Sequence, residues 1–143
     1  MLIGISPLIS PELLRILAEM GHGDELLLAD ANFPAARLAH RLIRCPGMPI
    51  PELLDGILRL FPLDKYTAKP VTLMDVVPGD PVDTPIWQRY AEIIEERCGM
   101  RAADERLERY DFYERAKSAY AIVATGERAQ YANIILKKGV IIP

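Results

Sequence analysis

Short aliphatic segments alternate with helix-forming segments along this chain, and the alternation limits the fold more than any other feature. The aliphatic run over residues 26–29 is typical of a strand buried on both faces. A predicted helix precedes it, with Ser10 as the N-cap, Pro11 in the first turn and Gly21 as the terminating residue. Buried strands that alternate with helices favour a three-layer α/β/α sandwich around one mainly parallel sheet.

The remaining segments continue this alternation. Helices are predicted after residue 34, from residue 51 to the proline at 62, after residue 84 and over residues 112–119, and strands near residue 43 and over residues 71–77, 121–124 and 134–136. No repeat or long linker interrupts the chain. At 143 residues we expect a single domain over residues 1–143, with ligands bound beyond the carboxyl ends of its strands.

Charge and hydropathy exclude several classes of function. The net charge is −3, whereas a general nucleic-acid-binding protein needs an excess of Lys and Arg. No apolar run approaches the roughly 20 residues that cross a bilayer, and the N-terminus lacks the basic and apolar regions of a signal peptide. Cys45 and Cys98 are isolated, which favours reduced thiols. We therefore expect a cytoplasmic protein with neither a nucleic-acid nor a membrane partner.

His22 lies between Gly21 and Gly23, where the backbone has few steric limits. Imidazole titrates near neutral pH and suits proton transfer, although a solvent-facing histidine after a helix is the alternative interpretation. Asp30 follows the strand over residues 26–29 and is either a turn residue or a binding residue. Because one short strand separates them, we expect His22 and Asp30 to share a pocket.

Other polar and aromatic residues indicate a sugar site more weakly. Asp64 is either a turn residue after a helix or a ligand-binding residue, and Met74 is either core filler or part of a site. The segment over residues 106–116 mixes aromatic and charged side chains, which is typical of a surface amphipathic helix or of a sugar site. Tyr131 and Asn133 precede the last strand, and in an extended chain their side chains would point the same way.

No motif in the chain indicates a cofactor or a metal ion. Neither of the glycine-rich phosphate-binding motifs occurs, and His40 has no partner at ligand spacing. We therefore predict a function that uses neither.

Several blocks of sequence, taken in order, resemble the ribose pyranase / L-fucose mutarotase family. The blocks are Met20-Gly21-His22-Gly23-Asp24-Glu25, Asp30-Ala31-Asn32-Phe33-Pro34, Phe112-Tyr113-Glu114-Arg115-Ala116, Thr125-Gly126-Glu127 and Asn133-Ile134-Ile135-Leu136-Lys137-Lys138-Gly139. The resemblance extends over nearly the whole chain. Gly23 and Phe33 resemble the fucose branch of the family more than the ribose branch.

The resemblance implies roles for individual residues. It implies that His22 is the proton donor, that Tyr113 has an acid/base role, and that Asp30 binds sugar hydroxyls and is a candidate to orient the imidazole. The implied sugar-lining residues are Asp64, Met74, Arg109, Tyr131 and Asn133. Ala132 stands where the family's Tyr-Gly-Asn motif has glycine, so its methyl group is expected to tighten the pocket or to move Asn133.

The resemblance also implies a cytoplasmic homo-oligomer, commonly a decamer, whose sugar sites take residues from neighbouring subunits. The implied activity is mutarotation, in which the α and β anomers of L-fucopyranose interconvert by acid/base ring opening and reclosure. Two alternatives stay open: a non-catalytic sugar-binding or transport-accessory protein, and a pyranase or mutarotase that acts on ribose or another monosaccharide. The apolar segment over residues 140–143 fits either a subunit contact or a docked tail.

Overall fold

Helices and strands alternate through the whole of the computed structural model, which describes all 143 residues from Met1 to Pro143. The helices are α1 (Pro11–Glu19), α2 (Ala35–Leu38), α3 (Ile50–Leu58), α4 (Pro85–Cys98) and α5 (Arg109–Lys117), and the strands are β1 (Glu25–Ala29), β2 (Leu42–Cys45), β3 (Val71–Met74), β4 (Asp104–Leu107), β5 (Ala121–Thr125) and β6 (Ile134–Lys137). None of these helices combines the length and the apolar composition that a membrane span requires.

The strands form one six-stranded sheet in the order β2-β5-β1-β6-β3-β4. β6 runs antiparallel to both of its neighbours, whereas all the other neighbouring strands pair in parallel. The predicted mainly parallel sheet is therefore confirmed, with one reversed strand inside it. We name the edge at which the parallel strands end the carboxyl edge, and the opposite edge the amino edge. β6 begins at the carboxyl edge and ends at the amino edge.

Helices cover both faces of the sheet, so the molecule has the predicted three layers. Successive side chains of β1 point to opposite faces of the sheet and belong to two separate core clusters. Leu26 and Leu28 pack into a cluster with α1, α3 and α4. Leu27 and Ala29 pack into a second cluster with α2 and α5 on the other face. All four side chains are fully buried. Burial on both faces explains why β1 is a continuous aliphatic run rather than an alternation of apolar and polar residues.

α1 ends differently from the sequence prediction. Its C-cap is Met20, in an extended conformation, and Gly21 does not adopt the left-handed conformation of a terminating glycine. The ammonium group of Lys138 donates hydrogen bonds to the carbonyls of Leu17 and Met20, at 3.0 and 2.5 Å. A residue from the far end of the chain thus satisfies two carbonyls at the end of this helix.

The structure differs most from the sequence prediction at one edge of the sheet. Residues 104–107 form β4, which pairs in parallel with β3, although residues 106 and 107 belong to the segment for which a surface amphipathic helix was one interpretation. Charged side chains are common on edge strands because they discourage pairing with other chains. β3 itself ends at Met74, three residues before the predicted end, and residues 75–84 connect it to α4.

Candidate active site

A cavity of about 340 Å³ opens at the carboxyl edge of the sheet. The predicted site residues that line it are Asp30, Met74, Arg109, Tyr113, Tyr131 and Asn133. They come from the ends of β1 and β3, from α5 and from the segment that leads into β6. This is the position at which ligands bind in open α/β sheets.

Asp30 and Asn133 form a reciprocal pair on the floor of the cavity. The backbone N–H of Asp30 donates to Oδ1 of Asn133 at 2.8 Å, and Nδ2 of Asn133 donates to Oδ2 of Asp30 at 3.0 Å. The other carboxylate oxygen of Asp30 accepts from the backbone N–H of Asn32 at 2.9 Å. Burial raises the pKa of the Asp30 carboxyl above its ordinary value, although these hydrogen bonds act against the rise. Asp30 therefore holds a proton more readily than an exposed aspartate.

α5 brings a cation and a phenol to the cavity wall. The Glu108 side chain caps the helix by accepting from the N–H of Tyr110 at 3.0 Å. Arg109 and Tyr113 lie one turn apart on the same face, and Nε of Arg109 donates to Oη of Tyr113 at 3.2 Å. The Tyr113 ring meets the Phe33 ring edge-on, with 5.4 Å between the centroids. Ring surfaces beside hydrogen-bonding groups suit a ligand that has both apolar and hydroxyl-bearing faces.

Tyr131 is the one non-glycine residue of the chain with a positive φ, at 55°. Such a conformation is uncommon for a bulky residue and persists where the surroundings hold it. Here the indole Nε1 of Trp87, on α4, donates to the Tyr131 carbonyl at 2.7 Å. Tyr131 is therefore not extended, and simple alternation does not relate it to Asn133, although both side chains line the cavity.

Ala132 does not tighten the cavity, contrary to one expectation from the sequence. Its side chain is fully buried in the core cluster that contains residues of α4, and its φ is not positive. Its carbonyl accepts a hydrogen bond from the hydroxyl of Tyr90 at 2.7 Å. The methyl group therefore contacts the core and fits without backbone strain.

The cavity wall also contains residues that the sequence did not single out as binding residues. These are Asn32, Phe33, Val77, Asp80 and Gln130. Val77 and Asp80 belong to the connection between β3 and α4. The Pro-Gly-Asp turn after an aliphatic strand was the available signal, because loops at the carboxyl edge commonly carry binding residues.

His22 and Asp64 lie together at the amino edge. Nε2 of His22 lies 3.0 Å from Oδ1 of Asp64, which also accepts from the backbone N–H of Tyr66 at 3.1 Å. Burial acts to raise the pKa of the Asp64 carboxyl, but the hydrogen bonds from Tyr66 and His22 outweigh it and lower that pKa below its ordinary value. The buried carboxylate orients an imidazole that stays about half-exposed.

The end of β6 and the residues that follow it hold His22 and Asp64 next to each other. The N–H of Asp64 donates to the Lys137 carbonyl at 3.0 Å, and the N–H of Gly23 donates to the Lys138 carbonyl at 2.8 Å. At Gly139 the backbones approach so closely that a Cβ would lie 2.9 Å from Cα of Asp64. A glycine is therefore required where this segment passes the pair.

The structure of the chain does not bring His22 to the cavity. His22 precedes β1 and Asp30 follows it, and a strand of five residues is roughly 17 Å long. The expected common pocket of His22 and Asp30 is therefore not formed by a single chain. The imidazole is oriented by Asp64 rather than by Asp30.

The fold and the cavity define a small three-layer α/β protein with a polar, partly aromatic site for a small ligand. No three His, Cys, Asp or Glu side chains lie close enough together to hold a metal ion. The chain belongs to the RbsD / FucU transport protein family, whose sequence profile matches residues 3–141.

Similar proteins match this chain over nearly its full length. An L-fucose mutarotase from Actinobacillus pleuropneumoniae serotype 5b (strain L20) is 53% identical over 140 residues, which are 98% of this chain and 97% of the relative. A fucose mutarotase from Mus musculus is 52% identical over 142 residues, which cover 95% of this chain and 92% of the relative. The crystal structure of the fucose mutarotase in complex with L-fucose from Streptococcus pneumoniae is 55% identical, with a TM-score of 0.94, and the match covers 99% of this chain and 100% of that one.

Proposed function

We propose that this protein is an L-fucose mutarotase, an isomerase that interconverts the α and β anomers of L-fucopyranose. Full-length similarity to proteins with that name supports the proposal. The observation that carries it in this chain is the floor of the cavity, where the Asp30–Asn133 pair lies near the Arg109–Tyr113 pair. These groups can both bind hydroxyls and exchange protons.

Mutarotation needs two coordinated proton transfers. The ring oxygen gains a proton while the anomeric hydroxyl loses one, so the bond between the anomeric carbon and the ring oxygen breaks and an aldehyde forms. Rotation about the adjacent C–C bond presents the other carbonyl face. Reclosure then returns each proton, with donor and acceptor exchanging roles. A positioned acid and base contribute about 10²–10⁴-fold each to such a reaction.

His22 is our proposed proton donor, and Tyr113 and Asp30 are the alternatives for the acceptor. Asp64 holds the imidazole in one orientation. Tyr113 accepts a hydrogen bond from Arg109, and its hydroxyl oxygen has a second acceptor position for the anomeric hydroxyl. The raised pKa of Asp30 supports a role in exchanging protons as well as in binding hydroxyls. The remaining lining residues, Met74, Tyr131 and Asn133 among them, would position the sugar.

A site that includes His22 needs two subunits, because one chain keeps the imidazole roughly a strand length from the cavity. We propose that the protein is a homo-oligomer, commonly a decamer in the family, in which His22 of the partner subunit completes the cavity. Exposed apolar residues at both termini support a subunit contact: Met1, Leu2, Ile3, Val140, Ile141 and Ile142. A wider depression of about 680 Å³ along α5 shares Arg109 and Tyr113 with the cavity and leaves room for a neighbouring chain.

Saturation-transfer NMR on the anomeric protons of L-fucose tests the activity. His22→Ala is expected to reduce the accelerated exchange by about 10²–10⁴-fold while the oligomer remains intact. His40→Ala is the matched control, since His40 is the other histidine of the chain and is exposed. Exchange at the wild-type rate in the His22 variant would reject His22 as the donor.

Subunit mixing tests the composite site. His22→Ala and Arg109→Ala are each expected to be inactive alone, because each lacks one half of the site. When the two variants assemble together, some sites combine an intact cavity with an intact imidazole, so part of the activity returns. No recovery in verified mixed oligomers would contradict a site shared between subunits.

A non-catalytic sugar-binding protein is the second candidate, and one observation favours it. All the residues that line the cavity come from one chain, whereas His22 lies at the opposite edge of the sheet. If assembly left them apart, the cavity would bind sugar without the proposed donor. Binding of L-fucose without any acceleration of anomer exchange would support this candidate over the mutarotase.

We also propose a cytoplasmic location. Cys45 and Cys98 are both free thiols, and Cys45 is buried. Reduced cysteines are typical of the cytosol. Detection of the native protein in a secreted or periplasmic fraction would contradict this proposal.

A further inference from the structure

The connection between β3 and α4 forms one wall of the cavity through Val77 and Asp80. Gly79 turns the chain just before Asp80, with a φ of 87°. The N–H of Asp80 donates to the Val77 carbonyl at 3.0 Å, and the Asp80 carbonyl accepts from the N–H of Val82 at 2.9 Å. These tight turns fix the backbone of Asp80 before a ligand enters, which lowers the entropy lost on binding.

The side chains of Asp80 and Tyr131 are bonded to each other. Oη of Tyr131 donates to Oδ2 of Asp80 at 2.5 Å and accepts a longer hydrogen bond from the N–H of Val77, at 3.4 Å. The bond to Asp80, together with burial, raises the pKa of the Tyr131 hydroxyl, which therefore keeps its proton. That single proton is directed at Asp80. Towards a ligand, Tyr131 can act as an acceptor and as an apolar ring surface.

Asp80 keeps unused capacity to accept hydrogen bonds. A carboxylate offers about four acceptor positions, and the protein fills one of them, at Oδ2. Its Oδ1 has no hydrogen-bond partner within the protein. Asp30, the other carboxylate of the cavity, differs because both of its oxygens are bonded, to Asn32 and to Asn133.

We infer that Asp80 is a further sugar-binding residue, whose Oδ1 accepts a hydrogen bond from a hydroxyl of the pyranose while Tyr131 holds the carboxylate in place. This inference rests on the proposed function, since it assigns a new contact in the same cavity. An anionic acceptor and the Arg109 cation in one cavity suit an uncharged polyol, because each hydroxyl both donates and accepts.

Asp80→Asn tests the contact because it removes the charge and keeps the shape. The KM for L-fucose, measured from anomer exchange over a concentration series, is expected to rise by about tenfold to a hundredfold. The kcat should change little, since the contact is present in both the bound sugar and the transition state. The matched control is Asp83→Asn, which removes the same charge from an exposed position in the same connection.

Two further variants separate a direct contact from an effect through Tyr131. If Asp80 acts only by holding the phenol, Asp80→Asn will not raise the KM further in a Tyr131→Phe background. A direct contact predicts a further rise in the KM in that background, smaller than in the wild type because the phenol no longer holds the carboxylate. Asp80→Glu retains the charge and is expected to recover part of the lost affinity.

The inference is overturned by an unchanged KM in Asp80→Asn, by an equal rise in Asp83→Asn, or by no further rise in the Tyr131→Phe background. If the asparagine variant does not fold, Asp80→Glu decides, because an unchanged KM after the carboxylate is displaced also overturns it. The wild-type protein separates the two proposals. If it binds L-fucose without accelerating exchange, the proposed activity fails, and the contact is tested by the same comparison of Kd values.

Discussion

Replacement of Asn133 by alanine should destabilise the protein in a pH-dependent way. Asn133 is buried, and its amide makes two hydrogen bonds with Asp30, one to the backbone N–H and one to the carboxylate. No other side chain bonds to either of these two groups. Alanine removes both bonds and leaves the carboxylate with backbone N–H donors alone, of which Asn32 is at 2.9 Å.

The size of the destabilisation follows from the two hydrogen bonds that Asn133→Ala removes. The neutral bond at 2.8 Å contributes about 1 kcal/mol and the bond to the carboxylate at 3.0 Å about 1.5–3 kcal/mol. The cavity is open, so water replaces part of what is lost, and the free energy of unfolding should fall by about 2–4 kcal/mol. For a chain of this size, that corresponds to a fall in Tm of about 6–16 °C.

The loss of unfolding free energy in Asn133→Ala should be larger at pH 7 than near pH 4. The folded-state pKa of Asp30 is already raised by burial, and loss of the amide donor raises it further. A carboxyl group whose pKa is higher in the folded state than in the unfolded state stabilises the fold when it is protonated. This stabilisation is fully present below the pKa of the unfolded state, about 3.9, and is lost as the pH rises through the pKa of the folded state. A higher folded pKa therefore removes more stability by neutral pH.

Thermal unfolding at fixed protein concentration, over pH 4–7, measures both effects. Asn32→Ala is the matched control, because Asn32 lines the same cavity but its side chain makes no hydrogen bond, so its Tm should stay close to the wild-type value. Equal Tm values for Asn133→Ala and wild type at pH 7 would refute the argument. A loss that does not vary with pH would refute its electrostatic part.

Two further predictions concern other parts of the molecule. Gly139→Ala must displace the backbone beside Asp64 and so disturb the bond between Asp64 and His22. We expect anomer exchange to slow by about tenfold to a hundredfold while the fold is retained. Unchanged exchange would contradict the role of this close contact. Arg115 donates two hydrogen bonds to the Glu25 carboxylate, at 2.7 and 2.9 Å. Arg115→Met removes both, and the free energy of unfolding in urea titrations should fall by about 1–3 kcal/mol. A fall below about 0.5 kcal/mol would show that this ion pair stabilises the protein no more than an ordinary surface pair does.

The elements with strong local signals were predictable from the sequence. β1 is a continuous aliphatic run, and the structure buries it on both faces. α1 begins as predicted, with the Ser10 hydroxyl accepting from the N–H of Leu13 at 3.1 Å. The position of Asp30 and Met74 at the carboxyl edge also followed from the order of strands and helices, because parallel strands end at the same edge.

The parts that depend on distant contacts were not predictable. β4 is charged and lies at the sheet edge, so neither burial nor alternation marks it as a strand. The end of α1 depends on Lys138, which is more than a hundred residues away in the chain. The positive φ of Tyr131 is held by Trp87 from another helix. His22 lies beside Asp64 because Asp64 bonds to the end of β6 at the amino edge, and the sequence does not reveal that long-range contact.

The reversal of β6 has a consequence for how this molecule can vary. Its four residues link Asn133, at the cavity floor, to Lys138, which closes α1 beside the imidazole. The length of this one strand therefore sets the distance between two polar centres on opposite sides of the sheet. Adding or deleting a pair of residues in β6 would displace at least one of these two polar centres, whereas surface loops can change length without moving either. Length changes tolerated elsewhere in the chain are thus excluded at this strand.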